Sequence, residues 1–308
     1  MDLRMRRMKA EIRQSLSDGA QDGKPYSELI SVVIPVLNGE SYIRECIASV
    51  VAQSYRNLEI VVADNRSTDR TAQIVESFSD PRIKRLASPD RQLSIYENWE
   101  RALRAAQGDF VKVVAHDDAI KPDCVERQAK LLSEVAGASF IASRRTIIDA
   151  RGRIIIRARG LGMLRLRRTP RVVSAAEIIG ACARSGTNLL GEPAAVLFRR
   201  ACLPEPILDP TWHFEGDLDL YFRCLERGPA IIDREVLAFF RVSPQQMSAS
   251  VADQQAREMR TFFRTVAQRY PGAISRVDFL FASLNSLVLS WARRTLYSYQ
   301  RLTFRQGP

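Results

Sequence analysis

The chain is poor in the residues from which most metal and hydrolytic sites are built. It has two histidines, His116 and His213, so a histidine-rich metal centre or a Ser-His-Asp hydrolase has few candidates. Its five cysteines, Cys46, Cys124, Cys182, Cys202 and Cys224, are odd in number and scattered, with no C-x-x-C pair. That distribution argues against a disulfide framework or zinc site and for a reducing compartment. No G-x-G-x-x-G or G-x-x-x-x-G-K-[ST] follows an apolar run, which removes the main support for a dinucleotide or P-loop site. Long apolar stretches are missing as well. The longest, Phe279 to Ala292, is broken by Ser283, Asn285, Ser286 and Ser290, and is too short and polar to span a bilayer. The first twenty residues lack the apolar centre of a secretory signal. A soluble or peripheral protein is expected.

What is present is basic charge and an ordinary core. Across 308 residues, 46 Lys and Arg stand against 35 Asp and Glu, giving a formal charge of +11. Such a surface favours anionic partners: nucleotides, phosphorylated lipids, anionic membranes or nucleic acid. The hydrophobic content of 46% suffices for a sizeable core. Three parts are expected: a lead-in over 1–27, a main domain over 28–250 and a helical extension over 251–308.

Strands and helices alternate in the main domain. Leu29 to Val36 is β-branched and nearly continuous, as in a strand buried on both faces. Asn38-Gly39 turns into a helix over Ser41 to Val51. A second strand, Leu58 to Ala63, ends at Asp64-Asn65-Arg66-Ser67, with Ser67 as a candidate N-cap for the next helix. A short strand over Ile83 to Leu86 precedes a helix from Tyr96 to Gln107 that closes at Gly108, a natural residue after a helix. Another strand runs to His116, followed by a helix from Pro122 to about Val135. This rhythm predicts an α/β fold with a mostly parallel sheet flanked by helices.

Beyond residue 138 the pattern changes. Phe140 to Ile148, a turn at 149–152 and Arg153 to Ile156 predict a hairpin. Residues 144–171 hold ten arginines against one Asp149, usually a solvated face but also a candidate contact for a phosphorylated acceptor or anionic lipid. A helix from Ser174 to Cys182, a strand over Ala194 to Arg199, a helix over Asp217 to Arg227 and a strand over Ile231 to Arg241 follow. Residues 252–305 read as helical apart from Tyr270-Pro271-Gly272. There, Phe279, Leu280, Leu284, Leu287, Val288, Trp291 and Leu296 form a stripe that packs on its own domain or a partner subunit, or lies in a membrane interface.

Three strand ends carry polar clusters: Asn38, Asp64-Asn65 and His116-Asp117-Asp118. In a parallel sheet these ends share one edge and converge on one crevice. Adjacent carboxylates there repel unless a positive group, typically a divalent cation carrying phosphates, sits beside them. The plainer alternatives are a turn in which Asp118 caps the helix near Pro122, a turn at Asp64, and Asp217 as an N-cap.

These residues resemble the family 2 glycosyltransferases of GT-A fold, over roughly Ser31 to Val251. Ser31 to Gly39 resembles the family's opening strand and nucleotide-contacting loop. Asp64-Asn65-Arg66-Ser67-Thr68-Asp69 is similar to its D-D-x-S-x-D signature. His116-Asp117-Asp118 falls at the metal and diphosphate motif, and Glu215 to Leu220 resembles the site supplying the base. Arg241-x-Ser243-Pro244-x-Gln246-x-Ser248 resembles its R-x-H-P-x-Q-x-S loop. Against the family pattern, His116, Asn65, Leu37 and Ser243 stand where an acid, an acid, an aromatic and a histidine are usual.

The resemblance implies an inverting, metal-dependent transfer of sugar from a nucleotide-diphosphate donor to a saccharide or lipid-linked acceptor, in surface polysaccharide or glycolipid assembly. It implies Asp217 as catalytic base, Asp118 as ligand to Mg²⁺ or Mn²⁺, and Pro35, Leu37, Asn38, Asp64, Asn65, Asp117 and Arg241 around the nucleotide sugar. Asn188 to Glu192 resembles a segment bordering the acceptor; Trp212 and His213 read as packed residues. A cytoplasmic location, with peripheral contact at the inner membrane face left open, is expected, as is compatibility with a homo-oligomer. A sugar nucleotidyltransferase would carry a basic loop after the first strand, yet Pro35 to Ser41 has no basic residue. A non-catalytic anion- or nucleic-acid-binding protein would interleave aromatics with its arginines, yet 144–171 contains no Phe, Tyr or Trp; nucleic acid is not an expected partner.

Overall fold

β-Branched runs form the centre of the molecule. β1 (Ile30–Val36) is buried along its whole length, and β2 (Leu58–Asp64) is buried up to its last residue. They pair in parallel with Val36 beside Asp64, so both carboxyl ends stop at the same level. The computed structural model describes residues 27–161, 170–243 and 252–275, together with Asp278, Phe281 and Asn285. The apolar stripe of 279–296 and the 244–248 portion of the Arg241 loop lie outside these residues.

Between β1 and β2 runs α1 (Ile43–Val51), and after β2 come α2 (Thr71–Glu76) and β3 (Ile83–Arg85). α3 (Ile95–Arg104) follows, opened by a capping box in which Ser94 and Glu97 satisfy each other's backbone N–H groups. β4 (Phe110–Val113) then pairs in parallel with β1. These four strands, ordered β3-β2-β1-β4, are the parallel part of the sheet.

The other half is mixed. β5 (Ala119–Ile120) and α4 (Cys124–Glu134) lead to β6 (Phe140–Asp149) and its antiparallel partner β7 (Ile154–Arg159), the hairpin expected from the turn at 149–152. After β8 (Arg171–Val173) and α5 (Ala175–Ser185), β9 (Val196–Arg199) inserts between β4 and β6, antiparallel to both. α6 (Gly216–Cys224) precedes β10 (Ala230–Val242), which pairs in parallel with β6 and antiparallel with β5 and β8. Because β9 reverses direction twice over, β6 and β10 point the same way as β4. Six strands, β3, β2, β1, β4, β6 and β10, therefore point the same way and direct their carboxyl ends to one edge.

Local details depart from the sequence reading for identifiable reasons. Ser67 does not cap a helix: its N–H and hydroxyl both bond Asp64 Oδ1, at 3.1 and 2.5 Å, and α2 starts four residues later. β4 ends at Val113, one hydrogen bond from Val114 to Val33 carries the chain on, and 115–118 is a turn closed by Asp118 N–H on Ala115. Gly108 is needed for a close approach rather than as a helix terminator, since a Cβ there would lie 2.5 Å from the Leu29 carbonyl oxygen.

Two apolar clusters cover the faces of the sheet. α7 (Ala252–Arg269) joins one of them through Met259, Phe262, Phe263 and Val266. The Phe262 ring meets Trp212 edge-on at 5.0 Å and lies 5.8 Å from Phe222. Among the described residues, no helix is long and apolar enough to cross a membrane. Phe262 is 1% exposed, so Phe262→Ala is expected to cost about 3–5 kcal/mol in chemical denaturation. An unchanged unfolding midpoint would show that α7 is not part of the core.

Candidate active site

The shared strand edge opens into a cleft of about 540 Å³. Pro35, Val36 and Leu37 bring the end of β1 to it, Asn65 the end of β2, and Ala115 to Asp118 the turn after β4. Ile147 on β6, Phe240 and Val242 on β10, and Asn188, Glu192 and Asp217 complete the other side. Six of the sequence-derived candidates (Pro35, Leu37, Asn65, Asp117, Asp118 and Asp217) thus line one cavity.

Asp118 is 2% exposed, and its Oδ1 accepts the Arg241 N–H at 3.0 Å. Burial, and then the neighbouring Asp117 carboxylate, push its pKa well above the usual carboxylate range. Arg241 itself does not line the cleft as expected. Strand alternation turns Phe240 and Val242 toward the cavity, while the buried Arg241 guanidinium donates to the Asp117 carbonyl at 2.9 Å and Glu45 Oε2 at 2.5 Å. It also stacks 4.5 Å from the Tyr42 ring centre. Arg241 therefore braces the Asp117-Asp118 turn from behind.

Asn38 and Asp64 likewise act one step back from the cavity wall. Asn38 Oδ1 accepts the Thr68 N–H at 2.8 Å, and Asp64 holds Ser67, so the two strand-end loops are tied together. Asn65 is at the wall, but its amide bonds both the N–H and the carbonyl of Leu93, each at 2.8 Å. This pairing holds the chain before Ile95 against the cleft.

Asp217 is the second residue of α6 and half-buried. Its Oδ1 accepts the Leu218 N–H at 2.7 Å and its Oδ2 the Asn188 side-chain amide at 2.9 Å. Burial, then the Glu192 carboxylate, raise its pKa to about 7 against these bonds. A carboxylate with such a value, fixed in orientation and open to a cavity, is suited to taking a proton near neutral pH. His213 is exposed and Trp212 packed, neither at the cleft wall.

Three further residues shape this site. Arg145, 4% exposed, forms an ion pair with Glu192. Its guanidinium occupies space left by Gly160 and Gly191, both at positive φ near +97°, where any Cβ would collide with it. The Tyr96 phenol oxygen accepts the Gly216 N–H. Glu258 on α7 accepts the N–H groups of Phe214 and Glu215 at 2.6 and 3.1 Å, directly before Asp217. Arg145 was hidden among ten arginines, its one distinction being a place within an apolar strand. Glu258 sits 44 and 43 residues from its partners, with no local signal.

Among the described residues no three acidic, histidine or cysteine side chains gather closely enough to cage an ion. Yet Asp117 and Glu192 both add to the surplus negative charge felt at buried Asp118. Such a donor set fits a divalent cation that takes its remaining ligands from phosphate oxygens and water.

A sheet of this order with acids at its strand ends is the GT-A type of α/β fold. S. aureus TarS, solved in complex with UDP-GlcNAc, superposes with a TM-score of 0.59 at 21% identity, over 78% of this chain and 66% of that one. The mannosyltransferase PcManGT of Pyrobaculum calidifontis, solved with GDP-Man and Mn²⁺, gives 0.56 at 16% identity, over 98% and 84%. Residues 31–183 match the family model Glycosyl transferase family 2, and this chain is a glycosyltransferase carrying a family 2 domain. An uncharacterized glycosyltransferase of Rickettsia typhi is 26% identical over 230 residues, 74% of this chain and 69% of that protein. Glycosyltransferase GlyA of Streptococcus pneumoniae is 38% identical over 107 residues, which is 34% of this chain and 15% of GlyA.

The Glu258 contacts give a test. Glu258→Ala is expected to lower kcat about tenfold or more while leaving nucleotide affinity within about threefold, because a small misplacement of a reacting group is costly. Glu258→Gln, which keeps the accepting oxygen, should recover most of the loss. Equal kcat in all three proteins would show that the clamp has no influence on the site.

Proposed function

We propose that the protein transfers a glycosyl group from a nucleoside-diphosphate sugar to a hydroxyl of a saccharide or lipid-linked saccharide, with inversion at the anomeric carbon, in surface polysaccharide or glycolipid assembly. The observation that carries this reading is Asp217, an oriented carboxyl with a pKa of about 7 in the same cleft as the Asp117-Asp118 turn. The family 2 match and the nucleotide sugars bound by TarS and PcManGT support it.

The donor lies along Pro35, Leu37, Asn65 and Asp117, with Asn38 and Asp64 fixing the loops and Arg241 fixing the acidic turn. Mg²⁺ or Mn²⁺ would be held by Asp118, with Asp117 beside it, and would neutralise charge on the departing diphosphate. Asp217 takes the proton of the acceptor hydroxyl as its oxygen bonds to the anomeric carbon and the bond to the diphosphate breaks. Asn188 keeps Oδ2 of Asp217 aimed, and the Arg145–Glu192 pair sets how readily that carboxyl holds a proton.

Calorimetry with UDP and GDP, with and without Mn²⁺, and turnover of the matching sugar donors test this. Asp118→Ala should abolish metal-dependent nucleotide binding. Asp217→Asn should bind donor normally and lose about 10²- to 10⁴-fold in turnover, the usual contribution of a general base; normal turnover would refute the assignment.

The pH dependence follows from the raised carboxyl. Only ionised Asp217 accepts a proton, so turnover should rise with pH through about 7 and then level. Glu192→Gln removes a charge that raises that pKa, so the rise should move to lower pH. A profile with no step between pH 5 and 8 would contradict the proposed base.

A further inference from the structure

β7 leaves its apolar residues in solvent. Ile154, Ile155 and Ile156 are 51, 36 and 37% exposed, and they are three of the five large apolar side chains exposed among the described residues. Single exposed apolar residues need no explanation, but three in succession on a strand do. Among the described residues β7 pairs with β6 alone, so its other edge is open to a partner. The hairpin is also strongly basic here: Arg151 and Arg153 before β7 and Arg157 and Arg159 on it flank the isoleucines, against Asp149, which Arg153 pairs at 2.7 Å.

We propose that β7 and its turn dock on an anionic lipid surface. The charge pattern selects this occupant. A second copy of the chain added along β7 would set arginine against arginine, whereas anionic headgroups complement them while the exposed isoleucine side chains, alternating between the two faces of the strand, enter the apolar boundary edge-on. The placement also matters for the cleft. Ile156 and Arg159 belong to β7 and line the cavity, as does Ile95, itself 47% exposed. Docking along β7 thus brings the mouth of the cleft to the membrane interface, where a lipid-linked acceptor is presented. The inference goes beyond the proposed reaction and does not depend on it.

Cosedimentation of the full chain with vesicles tests the proposal. The vesicles are phosphatidylcholine alone or phosphatidylcholine with about one third phosphatidylserine. Two variants avoid the cleft-lining positions: Ile154→Ser with Ile155→Ser, and Arg151→Gln with Arg157→Gln. The chain should bind the anionic vesicles, less so at high salt, and leave the neutral ones. Each double variant should weaken binding about tenfold or more, with UDP or GDP binding in solution unchanged.

Wild-type binding by both variants, or no binding to anionic vesicles, would overturn the assignment. So would a solution dimer that the isoleucine variant disperses, since β7 would then be covered by a second copy. Vesicle binding in a protein that fails to bind nucleotide would leave this inference standing and defeat the proposed reaction instead.

Discussion

Carboxylates that repel one another are pressed into a single, partly buried cleft, and the fold is arranged to keep them there. Asp118 is buried beside Asp117, and Asp217 and Glu192 share the same cavity. Left alone such a group would separate or take up protons, because like charges in a low dielectric raise one another's pKa. Two buried guanidinium groups oppose this: Arg241 holds the Asp117-Asp118 turn by its backbone from behind the wall, and Arg145, at the cavity wall itself, pairs with Glu192. Neither cation removes the surplus at Asp118, whose pKa stays high. An acidic pocket left short of positive charge is what a nucleoside diphosphate with its divalent cation can complete.

The sheet topology supplies the convergence. β1, β2 and β4 are parallel neighbours, so residues 35–38, 64–65 and 115–118 arrive at one edge despite wide separation in sequence. Inserting β9 in the reverse direction restores the direction in β6 and β10, which adds Ile147, Phe240 and Val242 to the same rim. The proposed base, Asp217, comes from elsewhere, on α6, and needs its own supports. Asn188 holds its carboxyl, Tyr96 the Gly216 N–H, and Glu258 the chain before it. α7 is thereby part of the site as well as of the core, since Gln255 and Met259 also line the cavity.

The sequence made legible what depends on local pattern. Continuous β-branched runs marked β1 and β2, and a parallel sheet brings the residues just past them to one carboxyl edge, where Asn65 lines the cleft and Asn38 and Asp64 stand behind it. β5 and β8, at two and three residues, are too short to show a period. The position of β9 between β4 and β6 is set by nonlocal pairing. Residue type alone did not reveal which polar groups face the cavity and which brace it. Asn65 binds Leu93 with its amide, Asp64 accepts from Ser67 with its carboxylate, and Arg241 faces away from the cleft by strand alternation. Arg145 and Glu258 owe their roles to contacts 47 and 43 residues distant or more.

Burial and the neighbouring Glu192 charge keep the Asp217 carboxyl protonated up to neutral pH. A carbon-13 NMR titration of the Asp217 side-chain carboxyl, assigned by its loss in Asp217→Asn, measures this directly in the free protein. The midpoint is expected at about 7; a midpoint at the ordinary aspartate value of about 4 would contradict a proton-accepting role for Asp217 near neutral pH.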